Sequence, residues 1–399
     1  MKKIELLAPA GDLEKLKWAI NYGADAVYIG GKNYSLRANA NNFTLGDIKK
    51  GVVFAHRYNK KVYLALNMIF HNEDLSKIKE YVTKVCKLNI DGIIISDPFL
   101  IDIIKNINSN IEIHLSTQQS TLNKETVLFW KKTGISRIVL AREVNKADID
   151  NIIKNTNMDI EIFIHGAMCS NFSGRCVLSN YLTNRDSNRG GCSQVCRFNF
   201  DLYDSNNHLL SKSKDFSLAS KDLSLAKYIK TLIKLNVKSL KIEGRMRSIY
   251  YIATVVNIYR NIIDRCYSNT LSDNYIEHTL KILYRCSNRE VIPQFFNKKI
   301  SYNEQYYLGR QEESNQDFLA VVKSYDAKLK EAMVEQRNYF KIGDEVVIFG
   351  PNFEEYTMKI KYIIDSKNNK VNAANHPQEI VKINCDIRVR KNYIIRVKI

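Results

Sequence analysis

Eight short runs rich in β-branched residues alternate with stretches of helical spacing, and no other feature of the chain restricts its fold so strongly. The runs are Ile4–Ala8, Ala26–Ile29, Val62–Asn67, Gly92–Ser96, Glu112–Ser116, Arg137–Ala141, Ile160–His165 and Ser239–Glu243. Helical segments such as Leu13–Tyr22, Leu75–Leu88 and Lys146–Lys154 lie between them. Strand, helix and strand in succession make a right-handed parallel crossover, and eight such units imply a closed, TIM-like (β/α)8 barrel. An open doubly wound sheet is the competing arrangement. It lacks support here, because no Gly-x-Gly-x-x-Gly follows the first run to hold a dinucleotide.

A long excursion, Gly166 to about Leu235, separates the seventh run from the eighth and far exceeds an ordinary βα loop. The barrel with this insertion is expected to occupy residues 1–270, its last helix at about Ile249–Tyr267. A helix at Tyr275–Leu283 and an irregular connector take the chain to about 313. Six short runs then follow without a helix: Phe318–Tyr325, Lys330–Gln336, Asp344–Phe349, Thr357–Ile364, Glu379–Ile383 and Tyr393–Val397. They imply a small β-barrel domain over 314–399.

Composition sets the class of partner. The chain has 399 residues, of which 45% are hydrophobic and 26% charged, enough apolar material for a real core and too much for a disordered chain. Sixty Lys and Arg against 42 Asp and Glu leave +18, which points to a polyanionic partner or to a surface that is basic through its Lys-rich composition. Residues 1–309 hold 44 of the basic and 29 of the acidic residues, so most of the excess belongs to the barrel. Met1-Lys2-Lys3-Ile4-Glu5, with an acid at position 5 and no long apolar stretch behind it, is not expected to act as a signal peptide, and no run approaches the ~18 apolar residues of a membrane span. A soluble, cytoplasmic protein is expected, with cysteines that are reduced or bound to metal.

Barrel chemistry sits where strands end at the C-terminal face. The ends here carry Asn67, Gln118, Arg142 with Glu143, His165, and Glu243 with Arg245. Singly these read as loop caps and ion pairs; together they describe a polar pocket for an anionic small molecule or a nucleotide. His114 and His165 are candidates for acid, base or orienting roles, or are inner-barrel histidines.

Cys169, Cys176, Cys192 and Cys196 fall within the excursion at spacings C-x6-C-x15-C-x3-C, whereas Cys86, Cys266, Cys286 and Cys385 are scattered. Four thiolates gathered by one segment suit a tetrahedral metal or an iron–sulfur cubane. The interval of six fits an iron–sulfur cluster better than a zinc ribbon. Unligated thiols are the bland alternative.

Glu161-Ile-Phe-Ile-His165-Gly166-Ala-Met-Cys169, then Gly174-Arg-Cys176-Val-Leu-Ser179, resembles the signature of the collagenase-like peptidase family U32. The resemblance extends through Leu7–Gly11, Tyr28–Gly31, Ser35–Ala38 with Asn42-Phe43, His114–Gln118, Val139–Glu143, Ser220–Leu223 and Lys241–Ser248, and the tail from about 314 resembles the family's C-terminal domain. Val291-Ile-Pro-Gln-Phe-Phe296 departs from the Thr-x-Gly-Phe usual at that point.

The length is similar to that of a branch that hydroxylates the wobble uridine of tRNA to 5-hydroxyuridine in a prephenate-dependent way. The resemblance implies a 4Fe-4S cluster on Cys169, Cys176, Cys192 and Cys196. Within that reading Arg37, Asn67, Gln118, Arg142, Lys221 and Arg245 are candidates to bind carboxylates, phosphates or substrate. His114, Glu143, His165 and Glu243 are the candidates for proton transfer or orientation. The implied partners are a tRNA anticodon loop and a small carboxylate ligand, with no membrane and with a paralogue or second copy left open. A collagenase-like peptidase and a non-catalytic RNA-binding scaffold with a structural cluster are the alternative functions.

Overall fold

The structure, a computed structural model, describes residues 3–36, 41–211, 216–287, 289–297, 300–305, 315–351 and 355–399. The chain forms two compact units, residues 1–276 with 289–312 and residues 277–288 with 313–399.

In the first unit strand and helix alternate as the hydrophobic runs require. The elements are β1 (Glu5–Pro9), α1 (Leu13–Asn21), β2 (Ala26–Gly30), α2 (Leu45–Arg57), β3 (Lys61–Leu66), α3 (Leu75–Cys86), β4 (Gly92–Ile95), α4 (Phe99–Ile107), β5 (Glu112–Leu115), α5 (Lys124–Lys132), β6 (Arg137–Val139), α6 (Lys146–Thr156) and β7 (Asp159–Gly166). The excursion then supplies α7 (Leu178–Thr183) and β8 (Asp222–Ser224). After it come α8 (Ile229–Lys234), β9 (Ser239–Ile242), α9 (Ile249–Tyr267), α10 (Asp273–Ser287), most of which belongs to the second unit, and β10 (Val291–Ile292). Strands β1 to β7 pair in sequence and in parallel, and β9 joins β7 to β1, which closes an eight-stave barrel. The eight staves match the eight runs, and α9 has the expected limits.

Helix starts are set by local chemistry. The Asp12 carboxylate accepts the Lys15 N–H at 2.8 Å, and Ser248 accepts the Tyr251 N–H at 3.2 Å. Each satisfies a donor that the first turn of a helix leaves unpaired. Helix α9 buries most of its length against β1, α1 and α8.

Two features go beyond the sequence reading. Six residues inside the presumed excursion form α8, the seventh crossover helix. The chain also returns to the barrel before that helix, because β8 pairs antiparallel with the end of β7, His165 opposite Ser224 and Gly166 opposite Leu223. The connector is not wholly irregular either: β10 adds in parallel to β8, Val291 opposite Asp222.

The second unit is an antiparallel eight-stranded sheet, in the order 356–359, 345–349, 394–397, 318–326, 331–336, 380–384, 363–364 and 370–371. It curls around its own core, which includes Leu319, Val322, Val334, Phe340, Val346, Ile348, Ile363 and Ile383. The run expected at Thr357–Ile364 is split in two. Its second part forms a tight hairpin because the Asp365 carboxylate accepts the N–H groups of Lys367 and Asn369, both at 2.8 Å. Among the described residues no helix is long and apolar enough to cross a membrane.

Candidate functional site

The barrel interior is not purely aliphatic. Glu5, Tyr63, Glu112, His114, Arg137, Glu161 and Lys241 project inward from six strands into one ionic network. Arg137 donates to Glu5 at 2.6 Å and to Glu161 at 3.2 Å, and Lys241 donates to Glu161 at 2.8 Å. Tyr63 and Ser239 add hydrogen bonds to Glu5 at 2.8 and 2.7 Å. Glu161 and His114 are fully buried, and Arg137 and Lys241 nearly so. Burial favours a neutral Glu161, but Lys241 and Arg137 outweigh it and hold the carboxyl at about 2. Burial lowers the Lys241 amine despite its glutamate partner. Charges in such a place are tolerable only because they are paired and hydrogen-bonded. The sequence reading missed this network; Arg137, Glu161 and Lys241 interrupt otherwise apolar strands, and those interruptions are the signal that could have revealed it.

Above this network, at the C-terminal mouth, lies a cavity of about 390 Å³. Tyr28, Ile94, Val139, Phe163 and Lys241 form its lower wall. The Lys241 amine stands 4.6 Å from the Tyr28 ring centroid and 5.3 Å from that of Phe163, so it joins the network to the cavity. Asn67, Gln118, Arg142, Glu243 and Arg245 line the cavity together with Cys169, Cys176, Cys192 and Cys196. Strand ends and excursion are thus brought to one place.

Several of these groups are tightly positioned. Arg142 stacks over Phe163 at 3.9 Å, and Arg245, 4% exposed, donates to Ser35 at 2.8 Å. Gln118 accepts from Ser96 at 3.0 Å, whereas the buried Asn67 Oδ1 finds no hydrogen-bond partner among the described residues. A buried acceptor without a donor marks a place where a ligand group would be welcome.

The excursion is held over the mouth by polar ties. Arg189 forks onto Asp74 at 2.8 and 3.1 Å, the Ile69 N–H donates to the Asn188 carbonyl at 3.0 Å, and the Ser173 N–H donates to Glu143 at 2.8 Å. The Cys176 sulfur accepts from the Leu178 N–H at 3.3 Å and from the Asn171 amide at 3.1 Å. Burial pushes the Cys169 thiol up, and the neighbouring Cys196 and Cys176 add to the rise. That coupling puts the three thiols within electrostatic reach of one another. Donors aimed at sulfur suit a thiolate ligand set. Among the described residues no group of three or more His, Cys, Asp or Glu side chains is arranged to hold a metal ion.

Other candidates lie elsewhere. His114 sits below the cavity, its Nε2 3.0 Å from Glu112 and its ring against Tyr63. His165 faces outward. The β7–β9 register shifts between Phe163 and His165, and this bulge turns the histidine away from the interior toward α9, where its Nδ1 lies 3.3 Å from the Tyr259 hydroxyl. Burial, with Arg247 adding, lowers His165 to about 3. Glu143 is occupied with the Ser173 turn, and Lys221 pairs with Glu290 at 2.9 Å outside the cavity lining. Arg37 lies outside the described residues.

Arg197, Arg247 and Arg289 also line the cavity. Arg289 was invisible to strand-end reasoning because it comes from the connector, carried to the site by the β8–β10 pairing.

The chain matches peptidase family U32 over residues 11–306 and the peptidase family U32 C-terminal domain over residues 314–396. It is 44% identical to tRNA hydroxylation protein P1 of Bacillus subtilis, over 99% of this chain and 95% of that one. It is 39% identical to an Escherichia coli protein named as a 23S rRNA 5-hydroxycytidine synthase, over 66% of this chain and 39% of that one. A Porphyromonas gingivalis protein named collagenase is 31% identical, over 90% of this chain and 89% of that one.

Proposed function

The chain belongs to peptidase family U32, and from that premise we propose that it hydroxylates RNA: specifically, that it converts the wobble uridine of tRNA to 5-hydroxyuridine. The observation that carries this reading is the meeting of four cysteines with Asn67, Gln118, Arg142, Glu243 and Arg245 around one cavity at the barrel mouth. An unpaired anticodon base can be splayed into such a pocket, where Tyr28 and Phe163 offer stacking faces and Asn67 and Gln118 offer hydrogen bonds. Arg142 and Arg245 would hold carboxylate or phosphate oxygens, including those of prephenate, a dicarboxylate, as co-substrate. The relatives named for tRNA and rRNA hydroxylation support the reaction class.

Cys169, Cys176, Cys192 and Cys196 would hold a 4Fe-4S cluster, which when bound supplies electron transfer or Lewis acidity beside the base. With water as the oxygen source, exchanging C5–H for C5–OH releases two protons and two electrons, and the electrons need a separate two-electron acceptor. Glu243 is suited to receive a proton in the lining, and Lys241, protonated in its pair with Glu161, can orient the base. Exposed Arg388, Arg390 and Lys391 of the second unit offer contacts to RNA phosphates. Arg396 and Lys398 do not, being paired with Glu355 and Glu345. The setting proposed is the cytoplasm.

A peptidase reading finds less support, since among the described residues no histidine lines the cavity to activate a serine or cysteine. Nucleoside mass spectrometry of tRNA from a strain lacking the gene tests the proposal. Nucleosides derived from 5-hydroxyuridine should disappear and return with the wild-type gene but not with Cys176→Ala. An unchanged profile in the deletion strain overturns the reading. Protein purified without oxygen should be brown and contain iron and acid-labile sulfide; one zinc and no colour would replace the cluster with zinc.

A further inference from the structure

Three arginines from three separate segments meet at one buried carboxylate. Arg197 follows the last cysteine of the excursion, Arg247 follows β9, and Arg289 precedes β10. Their guanidinium nitrogens lie 4.0, 3.6 and 3.4 Å from the oxygens of Asp222, whose side chain is 1% exposed. The arginine side chains are 11, 27 and 8% exposed, and all three line the cavity.

None of these contacts is a close one, because a tight charge-assisted pair spans about 2.7–2.9 Å. Asp222 therefore gathers three guanidiniums around one carboxylate. Its Oδ2 accepts no hydrogen bond from any of them. Arg247 additionally lies over the Tyr251 ring, 5.1 Å from its centroid. Planar guanidinium forks converging on one point are the arrangement that recognises carboxylate and phosphate.

We propose that Arg197, Arg247 and Arg289, collected by Asp222, form a subsite for a doubly charged anion, a small dicarboxylate or a phosphate group, in the cavity wall next to Cys196. The proposal deepens the reading of this cavity as an RNA-hydroxylating site and rests on it for its biological use. It also gives the connector a task. The pairing of Val291 with Asp222, together with the Lys221–Glu290 ion pair, delivers Arg289 to the wall. Lys221, expected to bind substrate itself, instead fixes the strand that does.

Calorimetric titration of the full chain with inorganic phosphate, succinate and acetate tests the subsite. Phosphate or succinate should bind at one per chain, with acetate about tenfold weaker or more. Arg289→Gln and Arg247→Gln should each weaken the dianion by about tenfold or more, the effect of one lost charged hydrogen bond. Equal binding of succinate and acetate, or unchanged dianion affinity in both variants, overturns the proposal. Should a glutamine variant fail to fold, Arg247→Lys, which keeps the charge and loses the fork, is read in its place with the same expectation.

Repeating the titration with a saturating anticodon stem-loop RNA separates the sources. Persistent binding assigns the subsite to a small molecule, and displacement assigns it to RNA phosphate. The measurement needs no turnover. Lost dianion binding beside a gene-dependent hydroxyuridine removes the subsite alone, whereas intact dianion binding beside unchanged tRNA removes the functional reading alone.

Discussion

Acid should weaken the barrel through His165, by an amount the structure allows to be worked out. In the unfolded chain a histidine titrates near 6.5. In the folded protein burial against Tyr259, with Arg247 adding, lowers His165 to about 3. A histidine with a depressed folded pKa contributes its stability above the unfolded pKa and loses it as pH falls toward the folded one, because only the unfolded state takes up the proton. Integrating that difference from pH 7 to pH 5 gives a loss of about 2 kcal/mol from this one group. His165→Asn removes the titration while leaving a polar side chain beside Tyr259. Urea unfolding of both proteins at pH 7, 6 and 5 should show the wild type losing about 2 kcal/mol more than the variant across that range. Parallel curves for the two proteins would refute the placement of His165 and return it to the list of titrating catalytic candidates. The variant should also leave the pH profile of activity unchanged in shape, since the imidazole faces α9 and not the cavity.

Replacing Glu161 by Leu should cost about 3–5 kcal/mol in urea unfolding, because Arg137 and Lys241 stay buried without their shared carboxylate; a loss below about 1 kcal/mol would mean that the network is not needed. Gly11→Ala and Gly30→Ala should part company. A methyl at Gly11 runs into the backbone carbonyl of Arg245, which cannot move aside, and should destabilise by about 1–3 kcal/mol. A methyl at Gly30 meets the tip of the Arg245 side chain, so stability should hold while carboxylate binding weakens; the reverse order in melting temperature and calorimetry would contradict this. Of single cysteine replacements, Cys176→Ala should abolish bound iron and colour while Cys86→Ser leaves both intact, as Cys86 is buried in α3; equal iron content in the two would remove Cys176 from the ligand set.

The staves could be read from sequence because a parallel barrel strand is covered on both faces and so appears as a compact run of Val, Ile and Leu. Helix α8 could not, since Ile229–Lys234 is only six residues long and adjoins an irregular segment without a side-chain cap. The cysteines announced themselves by proximity in sequence. His165 misled for a specific reason: alternation along β7 places it inside with Glu161 and Phe163, and the bulge before it reverses that direction. A bulge leaves no mark in the residue pattern. Glu143 was read at a strand end and Lys221 as a substrate-binding candidate, but their partners, the Ser173 N–H and Glu290, come from segments whose path only the tertiary structure reveals. The same holds for Arg289, which no pattern of strand ends could have brought to Asp222.

The cysteine-bearing excursion leaves the barrel at Gly166 and returns beside it at Leu223, one rung of a ladder away. Its two ends are therefore about 5 Å apart whatever happens between them. Closing a loop costs only slowly more as it lengthens, so residues can be added to or lost from this segment with little strain on the staves. Barrel closure by β1 to β7 with β9 is thereby insulated from the length of the segment between Gly166 and Leu223.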